Sequence, residues 1–365
     1  MTHALTIDEC VESADSKSVA LSNWVDAAKP AYENSVPTYL DDSGELIEGI
    51  YLDMPNDVYH ALPALSSSKL KKFIDSPAHY YREYLSGISR KRTTAMQNTF
   101  DAGTHAHTLV LEPQGYYKRY FRDVMPIDYP DALHTAAQIE EQLVTLGLKK
   151  SGTKAEKTAR LIAADPKAAV FEEIQQREYA KQGVKAIEVV EGEEVATYGG
   201  KIPVDGQVWD DAHRAANTTR NHSEANAYIS YGLPEVTIIC RCQITGMMLK
   251  VKFDWLRFDD TAVDLKTTLS TRPEKFLRQL NDLHYDAQQE FYKYVALLAG
   301  IDIHAFTFVT TEYVNSDACQ PYVLSATRTI RAKEKVQIGL TDLAKCIETG
   351  KWYAWSKEDC TMMLV

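Results

Sequence analysis

The sequence lacks the features that would point to a membrane protein, a secreted protein or a paired-cysteine metal site. None of its apolar runs approaches the roughly 20 residues that a membrane-spanning helix needs. Its first residues have neither the basic start nor the apolar core of a signal peptide. The six cysteines are scattered and form no CxxC pair, so a zinc site built on such pairs is excluded. We therefore expect a cytoplasmic protein that does not bind a membrane.

The sequence also lacks an excess of basic residues. It has 40 Lys and Arg against 51 Asp and Glu, which gives a net charge of −11. This balance does not favour general attraction to nucleic acid, because phosphate binding needs a locally positive surface. A basic groove or bound cations can still supply that attraction. Two short basic runs, Lys69-Leu70-Lys71-Lys72 and Ser89-Arg90-Lys91-Arg92, could form such a surface.

What the sequence does contain is a clear alternation of apolar and polar residues in its second half, which is typical of strands. Six strands are predicted, at Glu188–Val195, Glu235–Cys242, Met248–Leu256, Ala262–Thr268, Ile303–Thr310 and Gln320–Leu324. The second, third and fourth of these follow one another through short turns and form an antiparallel meander. With 365 residues and 45% apolar content, the chain can bury a sizeable core.

Helical spacing, N-cap residues and flanking Pro or Gly predict helices on both sides of the meander. They are expected around Val19–Ala28, from the serines at 66–68 to Ile74, and over Pro77–Leu85, Met96–Glu112, Asp210–Tyr228, Pro273–Asn281, His284–Leu298 and Thr327–Glu348, with more helix within 131–185. We predict an α/β fold of the α+β kind, with helices flanking a central mixed sheet. Residues 1–48 are interpreted as an extension of unknown role, and 49–365 as one domain with a helical insertion at about 125–230.

Two acidic residues occupy facing positions in the second hairpin of the meander. If the hairpin is symmetric about Asp259, Asp254 and Asp264 lie opposite each other, with Cβ atoms about 5 Å apart. Like charges in this arrangement weaken a sheet, so a bound cation between them is the easiest way to keep them. From repulsion alone, Asp254→Asn should raise stability without metal. Lys266 points to the same face as Asp264, and Asp with Asp-x-Lys on one face is the core of a metal-dependent phosphodiester-cleaving site.

Carboxylates at these positions suit Mg²⁺, which prefers oxygen ligands and keeps several waters. The backbone carbonyl of Leu265 could add a ligand to those of Asp254 and Asp264, and His107 could bind a second metal. Lys266 would lie beside the attacking water or the developing negative charge. Each feature is ordinary by itself, because D-x-K is common on strands and a single His on an apolar helix is usually a core residue.

The order of the features along the chain is more specific than any one of them. A Gly-x-x-x-His helix precedes a meander that opens with Glu235, and a Gln-x-x-x-Tyr helix follows it. Gln288 and Tyr292 share one face of that last helix because they are four residues apart. The helix start at Ser66 and Ser68, next to Lys69, could hold a terminal phosphate, although a simple N-cap explains it equally well.

In this order the chain resembles the RecE-type exonucleases (exodeoxyribonuclease VIII family), a branch of the PD-(D/E)XK nuclease superfamily related to lambda exonuclease. The resemblance covers about residues 50–310 and is weaker over 125–230. The segments that carry it are Tyr59-His60 through Leu65-Ser66-Ser67-Ser68-Lys69-Leu70, Ser76-Pro77-Ala78-His79-Tyr80, Gly103-Thr104-His105-Ala106-His107 through Pro113, Phe253-Asp254-Trp255-Leu256, Val263-Asp264-Leu265-Lys266-Thr267-Thr268 and Tyr285-Asp286-Ala287-Gln288-Gln289-Glu290-Phe291-Tyr292.

The resemblance implies a role for each of the candidate residues. Metal ligands are expected at His107, Asp254, Asp264 and the carbonyl of Leu265, with Mg²⁺ as cofactor and Mn²⁺ as a substitute. Lys266 is implied as the catalytic lysine, acting with Asp254 and Asp264, while Gln288 and Tyr292 support the site or the DNA. Glu235 matches a supporting acidic position less securely.

The resemblance also implies an activity and partners. It implies degradation of linear double-stranded DNA from a 5′ end, which leaves a 3′ single strand for recombination, as in phage proteins. Relatives of this kind form ring-shaped oligomers and pass their product to a single-strand annealing protein. Two alternatives stay open: an endonuclease or nickase with the same chemistry, and a non-catalytic DNA-binding or scaffold protein on a nuclease fold.

Overall fold

A computed structural model describes residues 24–88, 94–183, 185–190, 193–198, 200–313 and 316–355. The strands within these ranges are β1 (Ala28–Pro30), β2 (Tyr32–Glu33), β3 (Val36–Pro37), β4 (Gly49–Leu52), β5 (Leu65–Ser66), β6 (Tyr120–Arg122), β7 (Lys185–Val190), β8 (Glu193–Tyr198), β9 (Ile202–Val204), β10 (Gly232–Arg241), β11 (Met248–Arg257), β12 (Thr261–Thr268), β13 (Ala305–Glu312) and β14 (Cys319–Tyr322).

The α-helices within the same ranges are α1 (Asn56–Ala61), α2 (Ser67–Asp75), α3 (Pro77–Tyr80), α4 (Thr94–Leu111), α5 (Pro113–Arg119), α6 (Ala136–Thr145), α7 (Lys154–Ala164), α8 (Phe171–Lys181), α9 (Gly206–Asn221), α10 (Ser223–Tyr228), α11 (Pro273–Asp282), α12 (Tyr285–Leu298) and α13 (Ala326–Thr349). Short 3₁₀ turns at Trp24–Ala27 and Pro126–Asp128 and a π turn at Tyr81–Leu85 complete the helical elements. None of the described helices combines the length and the apolar composition that a membrane crossing requires.

The chain divides into two compact units, Met1–Leu111 with Arg214–Val365, and Glu112–His213. The first unit contains a sheet with strand order β1-β4-β10-β11-β12-β13-β14, and β5 also pairs with β11. Strands β10, β11 and β12 are antiparallel, whereas β12 and β13 are parallel. Parallel neighbours need a crossover connection, which α11 and α12 supply here. This mixed sheet with flanking helices confirms the predicted fold class.

Strands β11 and β12 pair only close to their shared turn, at two positions. Their register is symmetric about Asp259, as the sequence predicts, so the next facing residues are Asp254 and Asp264. Beyond them the two strands separate, because β5 takes the edge of β11 while β12 continues along β13. The two acidic residues therefore lie at a fork in the sheet, where side chains from helices can approach them.

Helices α2, α12 and α13 near this fork take part in one large apolar core. Helix α12 packs on β10 and β11, helices α2 and α13 pack on α12, and α4 packs on β12. Phe291 and Val295 of α12 are fully buried in the same core as Val251 and Phe253 of β11. Burial of each such side chain contributes about 1.5–3 kcal/mol, so α12, which carries Gln288 and Tyr292, is firmly fixed to the sheet.

The N-terminal part of the described chain also joins this core. Trp24 is 1% exposed, and its indole Nε1 donates to the carbonyl of Arg257 over 3.0 Å. Strand β1 then pairs with β4 in parallel. The helix predicted at Val19–Ala28 is wrong in its described part, since a 3₁₀ turn leads directly into β1. The rest of that prediction lies outside the described residues.

The second unit, Glu112–His213, has a small core of its own. Ile139, Leu143, Leu161 and Val170 pack together between α6, α7 and the start of α8. The unit also contains the parallel pair β6–β9 and the antiparallel pair β7–β8. The single strand predicted at Glu188–Val195 is wrong, because it spans the junction between β7 and β8. Alternation continues through both strands, so the pattern alone did not separate them.

One helix of the predicted set is divided in the structure. The helix predicted at Asp210–Tyr228 consists of α9 and α10, which are separated at His222. The His222 side chain accepts a hydrogen bond from the N–H of Ala225 and caps α10. The other helices and strands predicted in the first unit begin and end within a few residues of their predicted limits, whereas β1 to β5 and α1 were not predicted.

Candidate functional site

Three carboxylates lie side by side on three neighbouring strands of the first unit. In the β10–β11 ladder, the residues that flank Glu235 pair with those that flank Asp254, so these two side chains face each other. On the other side of β11, Asp254 faces Asp264. We call Glu235, Asp254 and Asp264 the acidic row. Glu235 has a φ of +53°, a left-handed conformation that is uncommon for residues other than Gly and is often retained for function.

Helix α4 brings His107 to the middle of the acidic row. Gly103, one turn earlier, lies against β12 so closely that a Cβ there would be 2.7 Å from Oγ1 of Thr267. Because residues four apart share a helix face, His107 points to the same strand region. Its Nε2 lies 3.0 Å from Oδ2 of Asp254. Burial opposes protonation of this imidazole, but the Asp254 carboxylate raises the pKa of His107 to about 9.

Asp254 is stabilised in its ionised form. Its Oδ2 also accepts the backbone N–H of Leu265 over 2.7 Å, at the point where the two strands separate. Burial alone would favour the neutral acid, but the charge and hydrogen bond of His107 hold the pKa of Asp254 below its ordinary value. The side chain of Asp254 thus replaces a backbone partner that β11 no longer supplies to Leu265.

The same end of the row offers a set of metal-binding atoms. One ligand atom each from His107, Glu235 and Asp254 lies within 4.8 Å of the others, the only such group found among the described residues. Imidazole nitrogen and carboxylate oxygen are suitable ligands for divalent ions. Glu235 is also paired with Lys252 over 3.1 Å, although burial still raises the pKa of Glu235. The donor set fits a divalent cation.

The other end of the row has a different set of partners. Nζ of Lys266 lies 2.6 Å from Oδ2 of Asp264, and Nε2 of Gln288 donates to Oδ1 of the same carboxylate over 2.5 Å. The Lys266 ammonium lies 4.6 Å from the centre of the Tyr285 ring. Burial opposes its charge, but Asp264 raises the pKa of Lys266 above its ordinary value. This lysine is therefore protonated at neutral pH.

The structure places the remaining candidates of α12 and β12 near the row in supporting positions. The Tyr292 hydroxyl donates to the carbonyl of Lys252 over 3.1 Å, and its ring meets that of Phe253 edge to face. Tyr292 thus fixes the backbone of β11 next to Asp254. The contact of Leu265 with the row is through its N–H, and its carbonyl remains a proposed ligand.

The predicted phosphate-binding serines have partners within their own helix start. Oγ of Ser66 accepts the backbone N–H of Lys69 and contacts Oγ of Ser68. The Lys69 ammonium donates to the carbonyl of Ala64 over 3.1 Å. These contacts describe an N-cap, and within the described residues they do not bring the serines to the acidic row. The basic run at 89–92 lies outside the described residues.

Sequence reasoning noted Lys252 as a basic residue near Asp254 and Lys71 as part of a basic run, but it missed the partners of both lysines at the row. Lys252 is 9% exposed and binds Glu235, the carbonyl of Met54 and Oδ1 of Asn56. Lys71 of α2 donates to Oε1 of Gln288 over 3.1 Å. Lys71 belongs to a basic run that the sequence does reveal. Nothing in that run distinguishes the lysine that points inward from those that point to solvent.

A family model and a solved structure are similar to this chain. The sequence profile of a family described as "PDDEXK-like domain of unknown function (DUF3799)" matches residues 66–363. A crystal structure from Eubacterium rectale, described as that of a putative exonuclease, is similar with a TM-score of 0.48 and 11% identity, over 85% of this chain and 91% of that one. No curated protein matches the sequence. The family match confirms the PD-(D/E)XK superfamily implied by the resemblance, but not its RecE branch.

Proposed function

We propose, because the chain belongs to the PDDEXK-like family that matches residues 66–363, that it is a metal-dependent nuclease acting on DNA. One observation carries the proposal: the acidic row joins a metal-binding group at one end to a protonated lysine at the other. Hydrolysis of a phosphodiester needs both a site that activates water and positive charge near the phosphate oxygens.

Mg²⁺, or Mn²⁺ in its place, would be held by His107, Glu235 and Asp254, with Asp264 and the Leu265 carbonyl as further ligands. When bound, it would polarise the phosphoryl oxygen and lower the pKa of a coordinated water. The protein contributes the frame, because Glu235, Asp254 and Asp264 lie on strands that take part in the large core, and the helix of His107 packs on β12.

Lys266 would stabilise the negative charge that develops on the phosphate. Asp264 raises the pKa of Lys266 above the ordinary value, so the ammonium is a hydrogen-bond donor at neutral pH. Gln288 holds Asp264 through Oδ1, which leaves Oδ2 paired with Lys266. Tyr292 contributes by fixing the β11 backbone at Lys252.

The finer features of this proposal come from the resemblance. They are exonuclease action on ends of linear double-stranded DNA from 5′ to 3′, ring-shaped oligomers, a single-strand annealing partner and a role in recombination. Separate 5′ and 3′ end labels test the polarity, and light scattering of the purified protein tests the oligomer. Ser66, Ser68 and Lys69 would bind a terminal phosphate in this proposal only if their present contacts rearrange.

The test uses purified protein, Mg²⁺ and end-labelled duplex DNA. We expect the wild type to digest linear DNA, and Asp264→Ala and Lys266→Ala to lose digestion while keeping the fold by circular dichroism. Lys345→Ala removes an exposed lysine on α13 and serves as the control. Digestion at the wild-type rate by either site variant would reject the assignment of the site.

The same assay separates the two alternative functions. An endonuclease or nickase would cut or relax closed circular DNA, whereas an exonuclease would leave it intact and consume only linear molecules. A non-catalytic binding protein would shift the mobility of DNA but release no labelled nucleotide at any metal concentration.

A further inference from the structure

Lys71 lies outside the set of residues that the proposed function uses, yet it reaches the same site. It is half-buried on α2, and its Nζ is 3.1 Å from Oε1 of Gln288 and 5.3 Å from the centre of the Tyr285 ring. Lys72, the next residue, instead forms an exposed pair with Glu83. Only one of the two neighbouring lysines is therefore directed to the acidic row.

Gln288 joins Lys71 to Asp264 in a defined orientation. A lysine ammonium has only donors and an ionised carboxylate only acceptors. The amide therefore presents Oε1 to Lys71 and Nε2 to Asp264, where the hydrogen bond measures 2.5 Å. Gln288 is 6% exposed, so water cannot easily replace either partner. Without Lys71, the buried Oε1 would lose its donor and the amide one of its two anchors.

The position of Lys71 is electrostatically costly. Burial, together with the nearby Lys266 ammonium, lowers the pKa of Lys71 to about 8, although Asp264 and Asp286 oppose the shift. Both ammonium groups lie near the Tyr285 ring, at 5.3 Å and 4.6 Å from its centre. Attraction to an aromatic face offsets part of this cost. Perturbed charged groups of this kind concentrate at functional sites.

We infer that Lys71 is a positioning residue, which acts through Gln288 to hold the Asp264 carboxylate in the orientation that pairs with Lys266. Three hydrogen-bonded or ion-paired steps connect Lys71 to Lys266, and each joins a donor to an acceptor: Lys71 to Gln288, Gln288 to Asp264, and Lys266 to Asp264. The inference rests on the proposed nuclease function for its kinetic test.

The test is a double-mutant cycle of Lys71→Met, Gln288→Leu and both together, with Lys345→Met as the control of equal charge change. For the wild type and each variant, kcat, KM and the salt dependence of KM are measured on end-labelled duplex. We expect each single variant to lower kcat about tenfold to a hundredfold, as misplacement of a reacting group does. The double variant should be no worse than the worse single variant, because both act through one path. Lys71→Arg, which keeps a donor, should recover most of the activity.

Independent, multiplying losses in the double variant would overturn the inference, as would wild-type kcat in Lys71→Met. A flatter salt dependence of KM in Lys71→Met, with kcat unchanged, would instead identify Lys71 as a direct phosphate contact and equally overturn it. Equal losses in Lys71→Arg and Lys71→Met would count against it too. If Lys71→Met does not fold, Lys71→Gln replaces it in the cycle.

A second readout separates failure of this inference from failure of the proposed function. If the wild type degrades no DNA with any metal, the proposed function fails, and the side-chain amide signals of Gln288 are then followed by NMR. The Gln288→Leu variant assigns these signals. Lys71→Met should shift or broaden them and Lys345→Met should not, whereas unchanged signals in Lys71→Met would overturn the positioning role.

Discussion

Asp254 and Asp264 are the same residue type, face each other in one hairpin, and yet have opposite surroundings. Asp254 lies beside His107 and the Leu265 N–H, and its pKa is held below the ordinary value. Asp264 lies beside Lys266 and Gln288, and burial raises its pKa. The comparison shows that the neighbours brought to the fork, from helices α4 and α12 and from β12, and not the residue type, set the surroundings of each carboxylate.

The contrast extends to the lysines at the two ends of the acidic row. Lys252 pairs with Glu235 and is also held by two oxygen atoms of the segment 54–56. Lys266 pairs with Asp264 and otherwise faces the Tyr285 ring. The Lys252 ammonium is thus surrounded by oxygen atoms of the protein. The Lys266 ammonium has fewer such partners and can still interact with a substrate.

The largest expected effect compares Lys266→Met with Lys252→Met. We expect Lys266→Met to lower kcat at least about a hundredfold, the loss typical of a group that stabilises developing charge. Lys252→Met should mainly lower the free energy of unfolding, because it leaves the partly buried Glu235 without its cation, a loss of about 3 kcal/mol. Steady-state digestion and urea unfolding measure the two effects. If both variants lost kcat equally per folded molecule, the two lysines would not have the different roles expected here.

Metal binding provides the next test of the comparison. At a concentration about 100 times its Kd, Mn²⁺ should stabilise the wild type by about 2.7 kcal/mol. His107→Gln and Glu235→Gln should lose most of this gain, because each removes a ligand at the Asp254 end. Lys266→Met should keep it. Thermal unfolding with Mn²⁺ and with EDTA measures this stabilisation in each variant. If only Lys266→Met lost the stabilisation by Mn²⁺, the metal would bind at the Asp264 end of the row and not at the Asp254 end.

Asp254→Asn tests which force dominates in the absence of metal. Repulsion along the acidic row, as considered from the sequence, predicts a rise in stability. The structure gives Asp254 a histidine partner and a backbone donor, so we expect a fall of about 1–3 kcal/mol. Urea unfolding in EDTA decides between them. The double variant His107→Gln/Asp254→Asn should lose less stability than the two single variants together. A higher urea midpoint for Asp254→Asn than for the wild type would show that repulsion dominates.

The smallest expected effect concerns the left-handed backbone of Glu235. Glu235→Ala and Glu235→Gly both remove the carboxylate, but only Gly adopts a φ of +53° without strain. We expect the Gly variant to be more stable than the Ala variant by about 1 kcal/mol. Chemical unfolding of the pair measures this difference. Equal stability would mean that the backbone at Glu235 relaxes and that its conformation is not held by the acidic row.

The sequence predicted the fold class because the meander and the flanking helices have strong, separate periodicities. It also predicted the symmetric register of the second hairpin, since that register depends on the length of one turn. It predicted less well over residues 185–228, where the structure has the pair β7–β8 in place of one predicted strand and α9 and α10 in place of one predicted helix. Alternation does not mark a turn between two strands, and a capping His inside a polar helix is a weak stop signal.

The candidate site was predicted in part. The sequence singled out His107, Glu235, Asp254, Asp264 and Lys266, and the structure places all five along the acidic row. The sequence did not indicate that Asp254 pairs with His107, nor that Lys71 contacts Gln288, 217 positions later. Contacts between distant segments leave no periodic trace, so they could not be found from spacing.

The sequence by itself determined which residues could share a face: local backbone geometry sets the two-residue period of strands and the four-residue spacing of helices. It therefore determined the meander, the facing aspartates and the Gln-x-x-x-Tyr face. Only the tertiary structure decided which partner each carboxylate received, because that depends on where β11 and β12 separate and on which helix the core holds against each side. Charge state and chemical role follow from those neighbours, and neighbours distant in sequence are fixed by packing.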